Sequence, residues 1–365
     1  MELKGKINSA QGVGLEFSWQ NMLIDLPVVD VDTPYLRRER VEVCLGIEAT
    51  AHTFGVGVVD ENGEIIVNEV ARYPSFSFGK SPTEAAKHHL EKSDELITQA
   101  LKRVKNISLL AYSKGPGMPP CLLVGLKKVK ELASKLDLPV VEVNHCVAHL
   151  EIGKLVCKCI DPIFLYLAGG NTQIISYLDG RYRVFGETLD IAIGNLFDRV
   201  ARLLGLPFPG GEHIEQLAKR GKRLIDLPYS VKGMDMSFSG ILTEVERLVN
   251  EKKYKVEDLV YSLQQVAFSM VIEAAERAMA HCKKDELLLI GGVARNKELQ
   301  RMCSIMCAER GAKFYVVPES FSMDNGAMIA WNGILAKQMA TKELSKLDIN
   351  PKWRVDEVEI TWIKG

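Results

Sequence analysis

The feature that most constrains this chain is an echo. Residues 46–59, GIEATAHTFGVGVV, and residues 166–178, YLAGGNTQIISYL, share one layout of apolar strand, small polar turn and second strand. The apolar runs around them are continuous, as expected of strands covered on both faces. A unit that occurs twice points to an α/β fold with duplicated mixed β-sheet lobes facing one another across a cleft.

The rest of the chain fits that plan. VEVCLGIEA reads as a buried strand, and residues 55–70 as a hairpin turning at Asn62-Gly63. A helix follows from about Pro82, with Leu90, Leu96, Ile97 and Leu101 near helical spacing. Next come the strand ISLLAYS, a Gly/Pro turn at 114–120, another helix, and the strand PVVEV, whose end at Asn144 caps a further helix. A second round opens at DPIFLYLAGG and turns again at Asp179-Gly180. Helices are expected across 190–221 and 240–281, and then a strand ELLLIGGVA before the final helices. On this reading residues 41–160 form an N-terminal lobe. Residues 161–365 form a C-terminal lobe whose last helices could return to the first. Residues 1–40, irregular and ending in the charged run 37–40, are an extension with no assigned role.

Composition narrows the class. The chain has 47% hydrophobic and 25% charged residues, no stretch as long as a membrane span and no signal-like start, so a cytoplasmic protein is expected. Its eight cysteines form no CxxC pair and sit among apolar neighbours, which reads as buried free thiols. The formal net charge of -1 advertises no nucleic-acid partner globally. An RNA contact would need local charge, which two runs could supply: Lys102, Arg103 and Lys105, and Lys219, Arg220, Lys222 and Arg223. Each run also reads as a plain solvated helix face.

Chemistry concentrates at a few turns. Glu48, Thr50, Ala51 and His52 sit between the first pair of strands, and Ala168, Gly169, Gly170, Asn171 and Thr172 between the second. Small residues at such bends let backbone N–H groups approach phosphate or acyl oxygens. His145 and His149, at i and i+4 on a helix that starts at a sheet's carboxyl edge, can share one metal ion. Cys146 stands where a helical metalloprotease needs its Glu, so peptidase chemistry is not expected. Asp198 and Glu215 flank the turn Pro209-Gly210-Gly211 and suit ribose hydroxyls, which an ionised carboxylate can accept. Gly291, Gly292 and Asn296 follow a buried strand where a base could slot. Neither GxGxxG nor a P-loop is present there. Asp324 precedes the helix AMIAW at a capping position, which alone is an ordinary structural role.

In this order, GIEATAHTFGVGVV, NHCVAHLEIGK, LYLAGGNTQII, FPGGEHIEQLA, GGVARN and MDNGAMIAW resemble a known family over residues 41–362. It is the archaeal and eukaryotic tRNA N6-adenosine threonylcarbamoyltransferases, the catalytic subunits of the KEOPS complex. The resemblance implies a two-lobed actin/hexokinase-like fold closing on a nucleotide. It implies that His145, His149, Tyr166 and Asp324 ligate one divalent ion, iron or zinc. Tyr166, Leu167, Ala168, Gly169 and Gly170 would meet the phosphate and acyl end. Asp198, Gly211 and Glu215 would hold the ribose, and Asn296 the adenine side. The implied reaction moves threonylcarbamoyl from threonylcarbamoyl-AMP to N6 of adenosine 37 in tRNAs reading ANN codons. No catalytic base is named.

The implied partners are tRNA, a small kinase-like ATPase, a small dimerising subunit and an upstream threonylcarbamoyl-AMP synthase. No kinase domain is expected to be fused to a chain ending at Gly365. Several positions depart from the family's usual residues: Ala49 for Gly, Lys114 for Gln, Pro119 for Gly, Cys121 for Ser, Leu123 for Arg, Ala168 for Ser and Glu212 for Pro. These keep a second expectation open, a catalytically impaired scaffold that binds nucleotide and metal. A third is an ATP-dependent small-molecule kinase of the same fold, since fold alone does not settle chemistry.

Overall fold

The computed structural model describes residues 41–73 and 81–363, so the extension expected at 1–40 lies outside the described residues. The first sheet is made by β1 (Val43–Glu48), β2 (Thr53–Asp60), β3 (Ile65–Arg72), β4 (Leu109–Gly115) and β5 (Val140–Asn144), with helices α1 (Pro82–Arg103), α2 (Pro119–Leu136) and α3 (His145–Cys157). The order is β3-β2-β1-β4-β5. The first three strands run antiparallel, and β4 and β5 lie parallel to β1.

The second sheet repeats this plan. It contains β6 (Ile163–Leu167), β7 (Thr172–Leu178) and β8 (Arg181–Glu187). Then follow α4 (Ile193–Leu203), α5 (Gly210–Ala218), the two-residue strands β9 (Val231–Lys232) and β10 (Asp235–Met236), α6 (Ser239–Glu251) and α7 (Val256–Cys282). The chain continues through β11 (Glu286–Ile290), α8 (Lys297–Glu309), β12 (Lys313–Val316), α9 (Glu319–Ser322) and α10 (Gly326–Leu335). The order β12-β11-β6-β7-β8, read from its other edge, is that of the first sheet strand for strand, with the same senses of pairing. The duplication expected from the echo is therefore present in topology.

Three differences from the sequence reading have physical reasons. The strand expected over ELLLIGGVA stops at Ile290, because Gly291 turns to φ 96° and residues Gly292–Arg295 form a 3-10 turn. Strand β12 was not anticipated; it is four residues long, too short to show a period. Leu90 lies at the expected helical spacing yet is exposed, so the stripe of α1 is narrower than its apolar residues imply.

Two helices set the site. Every side chain of α3 from His145 to Gly153 is buried. Its Ala148 and Ile152 pack with Val141, Val143 and Ala111 of the first sheet. Its Cys146, Val147 and Leu150 pack with Phe164, Tyr166 and Ile290 of the second. A helix apolar on all sides is one covered on all sides, and α3 is wedged between the sheets. The charge it carries there, Glu151, is satisfied by the Tyr182 hydroxyl at 2.6 Å and the Trp362 indole N–H at 2.9 Å. Helix α10, near the chain's end, lies against the first sheet. A Cβ added at Gly57 would come within 2.1 Å of the Ala327 nitrogen, and one at Gly46 within 2.2 Å of Ala330's. Close approach of backbone to backbone is what those strand glycines permit.

Candidate metal and nucleotide site

Asn144 ends β5, and its side-chain oxygen accepts hydrogen bonds from the N–H groups of Cys146 and Val147 at 3.0 and 3.1 Å. This cap starts α3 in a fixed register and places His145 and His149 on successive turns of one face. Asn325 caps α10 in the same manner, accepting from Met328 N–H at 3.0 Å, and so places Asp324. The Nε2 atoms of His145 and His149 lie 3.6 and 3.3 Å from Asp324 Oδ1. The ligand atoms of these three residues lie within 4.8 Å of one another. Tyr166, near the end of β6, lies tilted against His149 with the two rings' centres 5.5 Å apart.

One further member was expected at a phosphate- or acyl-binding turn and not beside the histidines. Glu48 ends β1 completely buried. One of its oxygens accepts from Thr50 N–H at 2.7 Å and Thr50 Oγ1 at 2.5 Å, and the other meets His145 Nδ1 at 3.0 Å. A carboxylate on the far nitrogen of a ligating histidine fixes its tautomer and raises its basicity. The signal was in the sequence: a charge ending the otherwise apolar strand VCLGIE needs a buried partner.

The electrostatics follow. Burial works against protonating His145, but the charge and hydrogen bond of Glu48, joined by Asp324, outweigh it and raise its pKa to about 9. For His149, burial dominates and holds the pKa below the usual imidazole value. Burial opposes ionising Asp324, yet the hydrogen bond from His149 and the charge of His145 press its pKa down. Burial pushes the Tyr166 hydroxyl well above the usual phenol range. Two carboxylates, Glu48 and Asp324, thus converge on the histidine pair, a concentration of acceptor oxygens that suits a cation. Two imidazole nitrogens and a carboxylate oxygen are a donor set for a borderline first-row metal. The residues fit such an ion.

Beside this cluster lies a cavity of about 230 Å³ lined by Gly169, Asp198, Gly211, Glu215, Gly292 and Asn296, among others. It also takes in Met323, the neighbour of Asp324. Five of the residues expected to meet nucleotide therefore share one wall system. Gly169, Gly170, Gly211 and Gly292 have nothing within 4 Å of an added Cβ, and none has the positive φ that demands glycine. Neither packing nor dihedral accounts for glycine at these positions.

The other expected residues contribute differently. Leu167 turns its side chain into the core and can offer backbone only. Asp198 accepts Gly210 N–H at 2.8 Å, fixing the start of α5. Glu215 accepts Lys297 N–H at 3.2 Å. Asn296 caps α8 through Oδ1 at 3.0 and 3.1 Å and donates to Gln264 at 2.9 Å. One amide hydrogen is left for a base. Among the departures from the family pattern, Lys114 is bound to Glu142 at 2.6 Å, Cys121 is buried, and Leu123 is exposed.

A family model for tRNA N6-adenosine threonylcarbamoyltransferase, TsaD, matches residues 63–331. The tRNA N6-adenosine threonylcarbamoyltransferase of Thermococcus sibiricus is 47% identical over 325 residues, which make up 88% of this chain and 100% of that one. A probable bifunctional tRNA threonylcarbamoyladenosine biosynthesis protein of Methanocaldococcus jannaschii is 49% identical over 325 residues. The match spans 88% of this chain but 61% of that longer protein. Among solved structures, HypF of T. kodakarensis superposes with a TM-score of 0.59 at 18% identity, over 84% of this chain and 49% of its own. That likeness speaks for the fold alone. With the duplicated sheets, the shared wall of glycines and the histidine–carboxylate cluster, these matches show that the chain belongs to the tRNA N6-adenosine threonylcarbamoyltransferase family.

Proposed function

We propose that this chain, in the cytoplasm, transfers threonylcarbamoyl from threonylcarbamoyl-AMP to N6 of adenosine 37, in tRNAs that read codons beginning with A. The observation that carries the proposal is the meeting of His145, His149 and Asp324, from segments 175 residues apart, beside a pocket in which Gly169, Gly211 and Gly292 serve no internal need. Asp198, Gly211 and Glu215 take the ribose of the donor and Asn296 the adenine side. The turn offers the Gly169 and Gly170 backbone N–H groups to phosphate and acyl oxygens. His145, His149, Asp324 and Tyr166 would hold one iron or zinc ion, which when bound supplies Lewis-acid polarisation of the carbamoyl carbonyl. The N6 nitrogen forms a bond to the carbamoyl carbon, the bond to AMP oxygen breaks, and N6 gives up a proton. Glu48 acts by holding the His145 ring. The acceptor adenosine has to be splayed out of the anticodon loop to reach such a cleft. The KEOPS-type subunits, a kinase-like ATPase and a small dimerising protein, with a threonylcarbamoyl-AMP synthase upstream, are the partners this reading entails.

The test is transfer of labelled threonine into unmodified tRNA, with those partners and a donor source, beside a His145→Ala/His149→Ala variant. Label at adenosine 37 is expected, with metal content and transfer both lost in the variant. Nucleotide and metal binding without label in the parent chain would leave only the scaffold reading.

A further inference from the structure

The two basic runs differ once folded. At the end of α1, Arg103 is tied to Glu69 at 2.8 Å. The run 219–223, directly after α5, is instead joined by a second run that sequence distance had hidden, residues 252–255 between α6 and α7. The Lys222 and Arg223 N–H groups bond the Asp258 carboxylate in the first turn of α7 at 2.8 and 3.1 Å. The Arg223 guanidinium lies 5.5 Å from the centre of the Tyr254 ring and the Lys253 ammonium 5.4 Å from it. Tyr254 is half-buried and packed on the core, so two segments about 30 residues apart in sequence converge on one fixed aromatic.

The patch has seven cations, four from 219–223 and three from 252–255, all exposed. Among the described residues only Lys219 of these meets a carboxylate within ion-pair range, Glu215 at 3.9 Å. Asp258 is engaged by backbone, and Glu251 by Arg247. Seven exposed cations around an aromatic, with one ion pair among them and Asp258 as a near charge, are on a chain of net charge -1 the local electrostatic footprint of a polyanion site.

Its position matters as much as its charge. Helix α5 starts with Gly211 and Glu215 in the glycine-lined cavity and ends at Ala218, nine residues and about 14 Å of helical rise. A second cavity shares Glu212, Glu215 and Arg295 with the first and has Lys219 on its rim. One cation of the patch, Lys219, therefore lines a cavity that adjoins the pocket.

We propose that the patch formed by 219–223 and 252–255 is a docking surface for the phosphodiester backbone of the tRNA, away from the adenosine that reacts. This rests on the transferase reading for the identity of the RNA. Phosphate contacts of this kind position a nucleic acid without reading its sequence.

The test is a Lys222→Glu/Arg223→Glu/Lys253→Glu variant of the full chain, assayed for binding of unmodified tRNA across a salt series and for transfer with its partner subunits. A Lys102→Glu/Lys105→Glu variant controls for net charge. Tyr254→Ala probes the aromatic without changing charge. We expect the tRNA Kd and KM of the triple variant to rise at least about tenfold, with a salt slope shallower by about two to three. Transfer at saturating tRNA and the affinity for threonylcarbamoyl-AMP should stay unchanged. An unchanged Kd and slope, or an equal loss in the control, would overturn the proposal. Parent chain that binds tRNA through the patch but never transfers label would sink the transferase reading and leave the surface standing.

Discussion

The two sheets carry the same turn in the same place, and use it in opposite ways. After β1, residues Glu48, Ala49 and Thr50 are buried and wired inward. Ala49 N–H bonds the Ser113 hydroxyl at 3.0 Å, Thr50 carbonyl accepts Met118 N–H at 2.8 Å, and Glu48 reaches His145. After β6, the turn closes with a single backbone bond, Ala168 N–H to Asn171 carbonyl at 2.8 Å, and Gly169 and Gly170 face open space. Duplication supplied two equivalent sheet edges facing one cleft. One supports the candidate metal ligand His145, and the other leaves a bare backbone edge. Buried polar groups are worth most when every partner is satisfied, while a binding edge has to leave its donors unspent.

The largest break in this comparison comes from the buried turn. Glu48→Ala strips His145 Nδ1 of its carboxylate, and metal affinity should fall roughly 10- to 100-fold. Competition of the folded protein against a chelator measures it. Glu48→Gln, which keeps a hydrogen-bonding oxygen, should fall between the two. Equal affinity in all three would mean that Glu48 serves packing alone.

Glycines provide the next contrast, because the two regions use them for different reasons. Gly57→Ala drives a methyl into the α10 backbone, and should cost about 1–3 kcal/mol, read as a lower urea midpoint. Gly169→Ala places its methyl with nothing of the protein within 4 Å, so stability should change by less than about 0.5 kcal/mol. It should nonetheless weaken nucleotide binding about tenfold by filling the edge of the pocket. A stability loss at Gly169 equal to that at Gly57 would erase the distinction between a glycine kept for packing and one kept for a ligand.

How much of this was legible beforehand follows the same division. The duplicated strands, the hairpin at Asn62-Gly63 and the Asn144 cap rest on local patterns of period and turn chemistry, and were readable. So was the His145/His149 spacing, since one helix holds both. Glu48 and Asp324 reach these histidines from 97 and 175 residues away, and no local pattern expresses such a meeting. Asp324 was reached through family resemblance, and Glu48 was singled out in its turn but not joined to His145, because its partner lies on another element. The basic patch was half-read for the same reason: the run at 219–223 is visible in sequence, while its junction with 252–255 exists only through Tyr254 and Asp258.

The open turn, lacking wires of its own, has to be braced from its flanks, and this gives the smallest and most specific expectation. Thr172 Oγ1 accepts Ile193 N–H at 2.8 Å, and its carbonyl accepts Thr188 N–H at 3.1 Å. Two residues on, the Asp190 carboxylate accepts Ile191 N–H at 2.6 Å, and at the start of α6 Phe238 N–H at 2.9 Å and Ser239 N–H at 3.0 Å. Burial alone would raise the Asp190 pKa, but the Ser239 hydroxyl and these N–H groups outweigh it and lower it. A carboxylate depressed on folding stabilises fully above its unfolded pKa, about 3.9, and loses that contribution as pH falls through the folded value. Asp190→Asn should therefore cost about 1 kcal/mol at pH 7, a capping-scale effect discounted for solvent exposure. The cost should shrink as the pH drops below about 4, while metal affinity at neutral pH stays as in the parent chain. Urea unfolding of both proteins at pH 7 and pH 3 reads the difference. A gap that persists undiminished in acid would assign the brace to shape rather than charge.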